Sequence, residues 1–415
     1  MRIAFISYEA PPDTLIGGIG TYVGQAARTL ASRGHEVEVF AASPHESKVS
    51  CADGYQTHLV QTALTFEDRL AFPSAVGEVF AKRHAEAPFE VLEGPEFLAE
   101  ARVARKLVPE IPLVVKLHMS MTLIRRINHA PATPLAKLKA GIKKVAQPVL
   151  QLKRWQEFDY AAFELPHLME ADEISAPCRE IGELTARMWN LDGKQMVKVP
   201  YPFVPPRELL EIPVATETNT IGYIGRLEQR KGVVDFAHAI PSILQRFPNT
   251  KILFAGASEA SPVSGLSMRE YLEDLLAQWK GQIEFLGRIP HERMAEVFRR
   301  MDVAVLPSLW ENFPNACLES MAAGRGVVGS SAGGMAEQLD GGNVGLLVHP
   351  RQPKALAEAV CRYLENPDFR KDMGAKARAR VLSEYSAERI GEMTEQSYQR
   401  AIAQRKAGGR KWRLS

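Results

Sequence analysis

Two glutamates, Glu311 and Glu319, bracket the predicted start of a helix. Pro314 suits the first helical turn, Asn312 is a good cap, and a stop is expected at Gly324. A helix start presents amides and the positive end of its dipole, which favour an anion. A phosphate there would repel both carboxylates unless each contacts neutral hydroxyls. The pattern therefore predicts a diphosphate at the helix, ribose on one glutamate and a hexose on the other; a solvated loop and an ordinary helix surface are the alternative.

Two cations follow a predicted strand at 220–224, upstream of the glutamates. Arg226 comes directly after that strand, and Lys231 with Gly232 precedes a helical run that begins at Val233. Because open α/β sheets bind ligands where strand ends face helix starts, these cations are expected beside the glutamates. They could then neutralise a departing diphosphate without a metal. Taken alone, either cation would be interpreted as a surface residue.

The composition is that of an ordinary globular protein. The chain has 415 residues, of which 51 are basic and 49 acidic, so it carries no general attraction to nucleic acid. Its length predicts two or three domains. The four cysteines are far apart, so neither a disulfide framework nor a zinc site is expected, and a cytoplasmic location is predicted. The chain shows no signal-peptide core and no apolar run near the roughly 18 residues of a spanning helix.

Short β-branched runs alternate with helical runs along the chain, which is typical of parallel sheets in an α/β fold. Stacked prolines at 200–206 interrupt this alternation and predict an interdomain hinge. The expected divisions are 1–203, 204–385 and 386–415. Strands are predicted at 3–7, 37–40, 91–92, 113–117, 173–175, 196–199, 220–224, 251–254, 283–285, 303–306, 326–328 and 345–348, and the helices between them include 21–33, 97–106, 353–364 and 369–383, with a last helix after Ser386.

A basic segment at 125–154 departs from this plan, because it contains lysines and arginines but no acidic residue. Its leucines, isoleucine and valines recur at helical spacing, so it predicts an amphipathic helix. Such a helix could lie on an anionic membrane surface, or could simply pack by its apolar side. A second basic cluster, at 405–413, could reinforce a membrane contact or be a mobile end.

A glycine-rich loop containing Gly17 and Gly18 precedes the predicted helix at 21–33. It is not a dinucleotide-binding fingerprint, because Val23 stands where the third glycine is needed. The loop could still bring backbone close to a phosphate, or bind nothing. His118 closes the predicted strand at 113–117, where it is either a structural residue or part of a ligand site. No P-loop, zinc-ligand spacing or nucleophile elbow is present in the sequence.

Together these motifs resemble family 4 of the retaining glycosyltransferases. The resemblance covers nearly the whole chain, from the glycine loop through Arg226 and Lys231 to the two glutamates and the segment 333–337. It implies the GT-B fold, in which two Rossmann-like domains face each other across a donor cleft. The first domain would lie on the acceptor side, the second would bind the nucleotide sugar, and the last helix would cross back to the first.

The resemblance also implies roles for individual residues. The glutamate matching Glu311 would contact the transferred sugar, and the one matching Glu319 would contact the ribose. Arg226 and Lys231 would hold the diphosphate, and His118 would touch the sugar near its reacting carbon. The remaining expected donor contacts are Gly17, Gly18, Arg288, Asn312, Phe313, Pro314 and Asn315. Many members carry an acidic residue soon after the histidine, whereas this chain has Met119-Ser120-Met121.

The predicted activity is metal-independent transfer of a sugar from a nucleotide diphosphate to a hydroxyl acceptor, with retention implied by the resemblance. No cofactor or metal is expected, and nucleic acid is not an expected partner. The acceptor is expected to be a glycan or lipid-linked molecule in envelope glycan, glycolipid or polysaccharide synthesis, with a possible peripheral membrane contact through 125–154 and the tail. Alternatives are a storage-glucan synthase or phosphorylase, the latter needing a pyridoxal-bearing lysine, and a non-catalytic scaffold that docks on membranes.

Overall fold

The computed structural model describes residues 1–11, 13–14, 17–63, 65–128, 158–192, 196–263 and 265–409. These residues form two compact units. The first comprises the described residues from Met1 to Pro177, from Ile181 to Val199 and from Met393 onward; the second comprises Cys178–Glu180 and Pro200–Glu392. Tyr201–Pro206, in the predicted hinge, contains neither helix nor strand. Most of the basic helix predicted at 125–154 and most of the basic cluster at 405–413 fall outside the described residues, which omit 129–157 and 410–415.

The first unit contains an eight-stranded sheet with the order β3-β4-β2-β1-β5-β6-β7-β8. Its strands are parallel except for the β3–β4 pair, an antiparallel hairpin. The strands are β1 (Arg2–Ile6), β2 (Glu36–Ser43), β3 (Lys48–Ala52), β4 (Tyr55–Gln61), β5 (Val91–Pro95), β6 (Leu113–Lys116), β7 (Glu173–Ala176) and β8 (Val197–Lys198). The described helices that begin before residue 200 are α1 (Gly18–Ser32), α2 (Phe66–Glu86), α3 (Arg102–Leu107), α4 (Met121–Asn128), α5 (Ala161–Met169) and α6 (Arg179–Trp189).

The second unit contains a six-stranded parallel sheet with the order β11-β10-β9-β12-β13-β14. Its strands are β9 (Thr220–Ile224), β10 (Lys251–Ala255), β11 (Ile283–Gly287), β12 (Val303–Leu306), β13 (Gly326–Ser330) and β14 (Leu346–Val348). The helices after residue 200 are α7 (Arg207–Leu210), α8 (Val233–Arg246), α9 (Met268–Leu275), α10 (Met294–Arg299), α11 (Asn315–Ala322), α12 (Met335–Gln338), α13 (Pro353–Glu365), α14 (Pro367–Glu384) and α15 (Ala387–Lys406). Its core packs buried side chains of β9, β10 and β12 against α8 and α13.

All twelve predicted strands are present, and the parallel α/β class is confirmed. The hairpin of β3 and β4 was not predicted. Its turn, Asp53-Gly54, has positive φ at both residues, which is the geometry of a tight hairpin. The predicted helix at 97–106 is wrong in part, because Leu98 and Ala99 have φ near +50° and break it into a short 3-10 turn and α3.

The last helix, α15, begins after Ser386 as predicted and passes from the second unit into the first at Met393. Two arginines in the later part of this helix form ion pairs with acidic side chains near β7. Arg400 pairs with Glu173 at 2.9 Å, and Arg405 pairs with Asp172 at 2.9 Å. Across the described ranges, no helix combines the length and apolar character needed to cross a bilayer.

Candidate functional site

The strand order of the second unit places a topological switch between β9 and β12. From β9 the chain continues to β10 and β11 on one side, and then returns to β12 on the other. The loops that leave these two strands therefore diverge at the carboxyl edge of the sheet, which is where open α/β sheets bind ligands. Arg226 and Lys231 lie on the loop after β9, and Glu311 lies on the loop after β12.

One glycine and a buried tyrosine fix the loop after β9. Gly232 has φ +69°, and a Cβ there would lie 1.9 Å from the carbonyl oxygen of Pro307, so only glycine fits. The buried hydroxyl of Tyr223 donates to the carbonyl oxygen of Arg226 at 2.8 Å and lies 3.4 Å from that of Lys231. The ends of the cationic segment are thus tied to the sheet and to the neighbouring loop.

The carboxylate of Glu311 is the centre of an ion cluster. Its Oε1 contacts Lys231 Nζ and lies 3.1 Å from Arg230 Nη1. Glu311 is 8% exposed. Burial raises the pKa of its carboxyl, but Lys231 and Arg230 outweigh this effect and hold the pKa below its ordinary value. Glu311 is therefore an anion at neutral pH, and a carboxylate of this kind can accept hydrogen bonds from hydroxyls.

Arg230 links Glu311 to a second carboxylate. Its Nη2 donates to Glu228 Oε1 at 2.9 Å. Burial lowers the pKa of the Arg230 guanidinium, but the charges of Glu311 and Glu228 raise it overall. Arg226, by contrast, has a side chain that is 53% exposed, and it lies 3.2 Å from Glu228 and 3.7 Å from Glu259. Arg230 is the structural cation of this loop, and Arg226 is the solvent-facing one.

The N-terminal cap of helix α11 lies two residues later than the sequence predicts. Pro314 is its N-cap with extended backbone, and Asn315 is its first residue. The prediction that Asn312 caps the helix is wrong, because its Nδ2 lies 3.2 Å from the hydroxyl of Tyr201 and its carbonyl accepts from Cys178 at 3.3 Å. Phe313 packs edge-on against aromatic rings, with its centroid 5.3 Å from that of Tyr201. These contacts fix the strand-to-helix turn beside Glu311.

Glu319 lies in α11 and is 7% exposed. Burial raises the pKa of its carboxyl, and His291, whose Nδ1 is 3.5 Å from Glu319 Oε1, opposes this rise. Arg288 is exposed in the segment that follows β11, a few residues before His291. The structure places Glu319 near the segment after β11, whereas Glu311 belongs to the ion cluster with Lys231.

A glycine pair supports the backbone of Glu311. The amide of Gly334 donates to the carbonyl oxygen of Glu311 at 2.9 Å. A Cβ on Gly333, which has φ +80°, would lie 1.9 Å from that same oxygen. Glu180 links the two segments that meet here. Its carboxylate accepts from the Gly333 amide and from Nε1 of Trp310, the residue before Glu311, each at 2.7 Å. Glu311 is therefore positioned by two loops and by the half-buried side chain of Glu180.

The remaining predicted residues belong to the first unit. His118 follows β6 and is 7% exposed. Burial, with the charge of Lys116 adding to it, lowers the pKa of its imidazole to about 3, so the ring is neutral at pH 7. Its amide donates to both carboxyl oxygens of Glu96, at 2.7 and 2.9 Å. Gly17 and Gly18 are exposed at the start of α1, and a Cβ on Gly17 would lie 2.9 Å from a carboxylate oxygen of Glu9.

Sequence reasoning identified Lys231 and Glu311 but missed three side chains that hold them. Arg230 and Glu228 were missed although they alternate in charge with Arg226 and Lys231 along one short loop, a signal that could have been used. Glu180 gave no such signal, since it is far from Glu311 in the chain. Its part in the site follows only from the three-dimensional structure.

Two family models match the chain. The model described as "Glycosyl transferase 4-like domain" matches residues 17–202, and "Glycosyl transferases group 1" matches residues 208–380. The phosphatidyl-myo-inositol mannosyltransferase of Mycobacterium tuberculosis is 28% identical, over 92% of this chain and 92% of that protein.

Solved structures share the fold. Sucrose-phosphate synthase from Thermosynechococcus elongatus superposes with a TM-score of 0.71 at 23% identity, over 97% of this chain and 99% of that one. The Anabaena protein HepE, solved in complex with UDP and glucose, superposes with a TM-score of 0.66 at 16% identity, over 96% and 99%. The two-domain α/β class predicted from the sequence is confirmed, and the chain belongs to the group 1 glycosyltransferases of the GT-B class.

Proposed function

We propose that this glycosyltransferase moves a hexose from a nucleotide diphosphate to a hydroxyl acceptor with retention of configuration and without a metal ion. The observation that carries the proposal is the ion cluster of Lys231, Arg230 and Glu311 at the switch between β9 and β12. A site for a sugar diphosphate needs cations for the phosphates and an anion for the hydroxyls at one edge of a sheet. This cluster supplies both.

The surroundings of the three cations support different roles for them, one structural and two in binding the diphosphate. Arg230 bridges two carboxylates, Glu228 and Glu311, and its side chain is far less exposed than that of Arg226, so we assign Arg230 to holding the loop together. We assign Arg226, which is half exposed, and Lys231 to the diphosphate. Positive charge held at the leaving group stabilises the transition state, because negative charge grows there as the glycosidic bond breaks. No metal is then needed for that purpose.

The two glutamates are assigned to different hydroxyls of the donor. Glu311, an anion whose pKa is held low, would accept hydrogen bonds from the transferred sugar. Glu319 lies close to the exposed segment after β11 and would accept from the ribose, with Arg288 in the segment near the base. The first amides of α11 after Pro314, beginning at Asn315, with the backbone of Asn312 and Phe313, would complete the phosphate contacts.

His118 is assigned to the transferred sugar rather than to proton transfer. With a pKa of about 3 its imidazole is neutral at pH 7, so it can hydrogen bond to a hydroxyl but is a weak general base. Gly17 and Gly18 are assigned to a phosphate approach at the start of α1. The acceptor's proton could pass to a phosphate oxygen of the leaving group.

For the acceptor we propose a glycan or a lipid-linked molecule used in envelope glycan or polysaccharide synthesis. The basic segment at 125–154 and the basic tail support this assignment through their sequence, since clustered cations are attracted to anionic membrane surfaces. The mannosyltransferase relative, whose name includes a phosphatidyl-inositol, is consistent with a lipid-linked acceptor. The enzyme would then act in the cytoplasm, at the inner face of the membrane.

A thermal-shift screen tests the proposal most directly. UDP, GDP and ADP, each with and without an attached hexose, would be added to the full chain, because a ligand that binds only the folded state raises the melting temperature. One nucleotide is expected to stabilise the protein, and the matching sugar nucleotide is expected to be turned over by it. The proposal is contradicted if no nucleotide sugar binds or reacts while the protein is folded.

A further inference from the structure

The first unit contains a buried chain of side chains that joins the C-terminal helix to His118. Glu93, in β5, is 3% exposed and lies between two tyrosines. The hydroxyl of Tyr22, in α1, donates to Glu93 Oε1 at 2.6 Å, and the hydroxyl of Tyr398, in α15, donates to Glu93 Oε2 at 2.9 Å. One carboxylate thus fixes the hydroxyls of side chains from two different helices.

The ring of Tyr22 also packs against the imidazole of His118. It lies edge-on to the imidazole, with centroids 5.0 Å apart and planes at 63°. Lys116 Nζ lies 5.2 Å from the centroid of the Tyr22 ring and is itself bonded to Ser175 and to the carbonyl of Val199. The ring is therefore fixed by its hydroxyl and by a cation at its face. A shift of that hydroxyl would move the edge that His118 packs against.

We propose that Tyr398 is a positioning residue of the transferase, and that it acts through Glu93 and Tyr22 to hold the imidazole of His118. This inference rests on the role proposed for His118 in the preceding section. The described part of the C-terminal helix from Met393 onward then has a role in catalysis as well as in stability, because the hydroxyl of Tyr398 determines the geometry of the sugar contact proposed for His118. Nothing in the sequence pattern indicated Glu93 or Tyr398.

The physical reason is the cost of leaving a buried carboxylate short of a donor. Burial raises the pKa of the Glu93 carboxyl overall, and the positive charge of Lys116 and the two phenols oppose this rise in part. Removal of the Tyr398 hydroxyl leaves Glu93 Oε2 without that donor in a site of low polarity. The carboxyl group is then expected to rotate, taking the hydroxyl of Tyr22 with it.

The test uses Tyr398→Phe in the full chain, because this change removes only the hydroxyl. Side-chain nitrogen resonances of the histidines would be recorded by NMR, and those of His118 identified by their loss in His118→Gln. Tyr398→Phe is expected to shift the His118 resonances and to lower kcat about tenfold. The affinity for the donor nucleotide is expected to stay unchanged, because the substitution leaves the cations assigned to its phosphates, Arg226 and Lys231, in place.

Two controls separate positioning from general destabilisation. Ser397→Ala removes the neighbouring bond of the same helix, that to Glu173, without touching Glu93. Tyr363→Phe removes a buried hydroxyl of the second unit, bonded to Val327. Both are expected to lower the melting temperature and to leave the His118 resonances and kcat near wild-type values.

The inference is overturned if the His118 resonances of Tyr398→Phe coincide with those of the wild type, or if Ser397→Ala moves them equally. If Tyr398→Phe does not fold, Glu93→Gln replaces it, because the amide keeps one acceptor oxygen and changes the bonding to both phenols. Failure of the proposed function would appear separately, as absent turnover in the wild type, and the NMR comparison would still decide whether Tyr398 positions the imidazole.

Discussion

The carboxylate of Glu311 contacts the ammonium group of Lys231 directly, although the two residues lie on loops after different strands. If Lys231 also holds the leaving diphosphate, its charge serves both the sugar-binding glutamate and the phosphate. The ammonium would then be the element that couples donor binding to bond cleavage.

Substitution of Lys231 by alanine is therefore expected to lower kcat by on the order of 100-fold, with a smaller effect on nucleotide affinity. The measurement is steady-state kinetics with the sugar nucleotide identified by the thermal-shift screen. Lys376→Ala is the matched control, because Lys376 is an exposed lysine of the same unit whose ammonium pairs with Asp372 one helical turn away. Wild-type turnover in Lys231→Ala would refute the assignment.

Arg230 and Arg226 are four positions apart on the same loop, but alanine substitution is expected to destabilise the protein much more at Arg230 than at Arg226. Arg230→Ala leaves the buried Glu311 without one of its cations and is expected to cost about 3 kcal/mol of unfolding free energy. Arg226→Ala, at a half-exposed position, is expected to cost less than about 1 kcal/mol.

The two variants should also differ in activity. Arg226→Ala is expected to weaken nucleotide diphosphate binding, as measured by calorimetry, while Arg230→Ala mainly lowers stability in urea titrations. A stable Arg230→Ala would show that Glu228 and Glu311 do not depend on this guanidinium, and the division between structural and phosphate-binding cations would then be wrong.

Much of the fold follows from local pattern, because buried parallel strands are short apolar runs that can be recognised one at a time. The strands β9 and β12 match their predictions residue for residue. The hairpin of β3 and β4 was missed because its exposed edge strand, Lys48–Ala52, carries no apolar run. Leu98 and Ala99 were assigned to a helix because the positive φ at both comes from their surroundings, which propensity does not contain.

The candidate site was predictable to a lesser extent. Residue type and spacing identified Glu311 and Lys231, since both lie next to strand ends. The cap at Asn312 was wrong because Tyr201, distant in the chain, binds its side chain instead. The contacts made by Glu180 and Glu93 likewise join distant segments, so only the folded structure reveals them.

Gly333 and Gly341 offer a clean test of the backbone support for Glu311. Both have positive φ, but a Cβ on Gly341 meets nothing within 4 Å, whereas one on Gly333 would collide with the carbonyl oxygen of Glu311. Gly341→Ala is expected to cost about 1 kcal/mol from left-handed strain alone. Gly333→Ala is expected to cost about 3 kcal/mol, because the chain must move as well.

Turnover distinguishes the two glycines more sharply than stability. Gly333→Ala displaces the glutamate assigned to the sugar, so kcat should fall at least about tenfold, while Gly341→Ala should retain wild-type kinetics. Equal kinetics in both variants would mean that the contact between Gly333 and Glu311 is irrelevant to transfer.

Glu395 ties the C-terminal helix to the first unit in a pH-dependent way. Its carboxylate accepts from Arg33 Nε at 2.6 Å and lies 2.9 Å from His35 Nε2. The hydrogen bond from Arg33 is the main cause that lowers the pKa of Glu395 to about 2, with His35 contributing. Since the folded pKa lies below the unfolded value of about 4.3, the stabilisation is complete above that value and is lost as the pH falls toward 2.

Substitution of Glu395 by glutamine is expected to lower the melting temperature at pH 7 by about 2–4 °C, which corresponds to roughly 1 kcal/mol. The difference from the wild type should shrink between about pH 4.3 and pH 2. Glu392→Gln, at an exposed position of the same helix, serves as the control and should leave the melting temperature unchanged at every pH. A deficit in Glu395→Gln that stays constant as the pH falls would show that the ion pair with Arg33 does not stabilise the docked helix, which would then be held by its uncharged contacts and by Glu173 and Asp172.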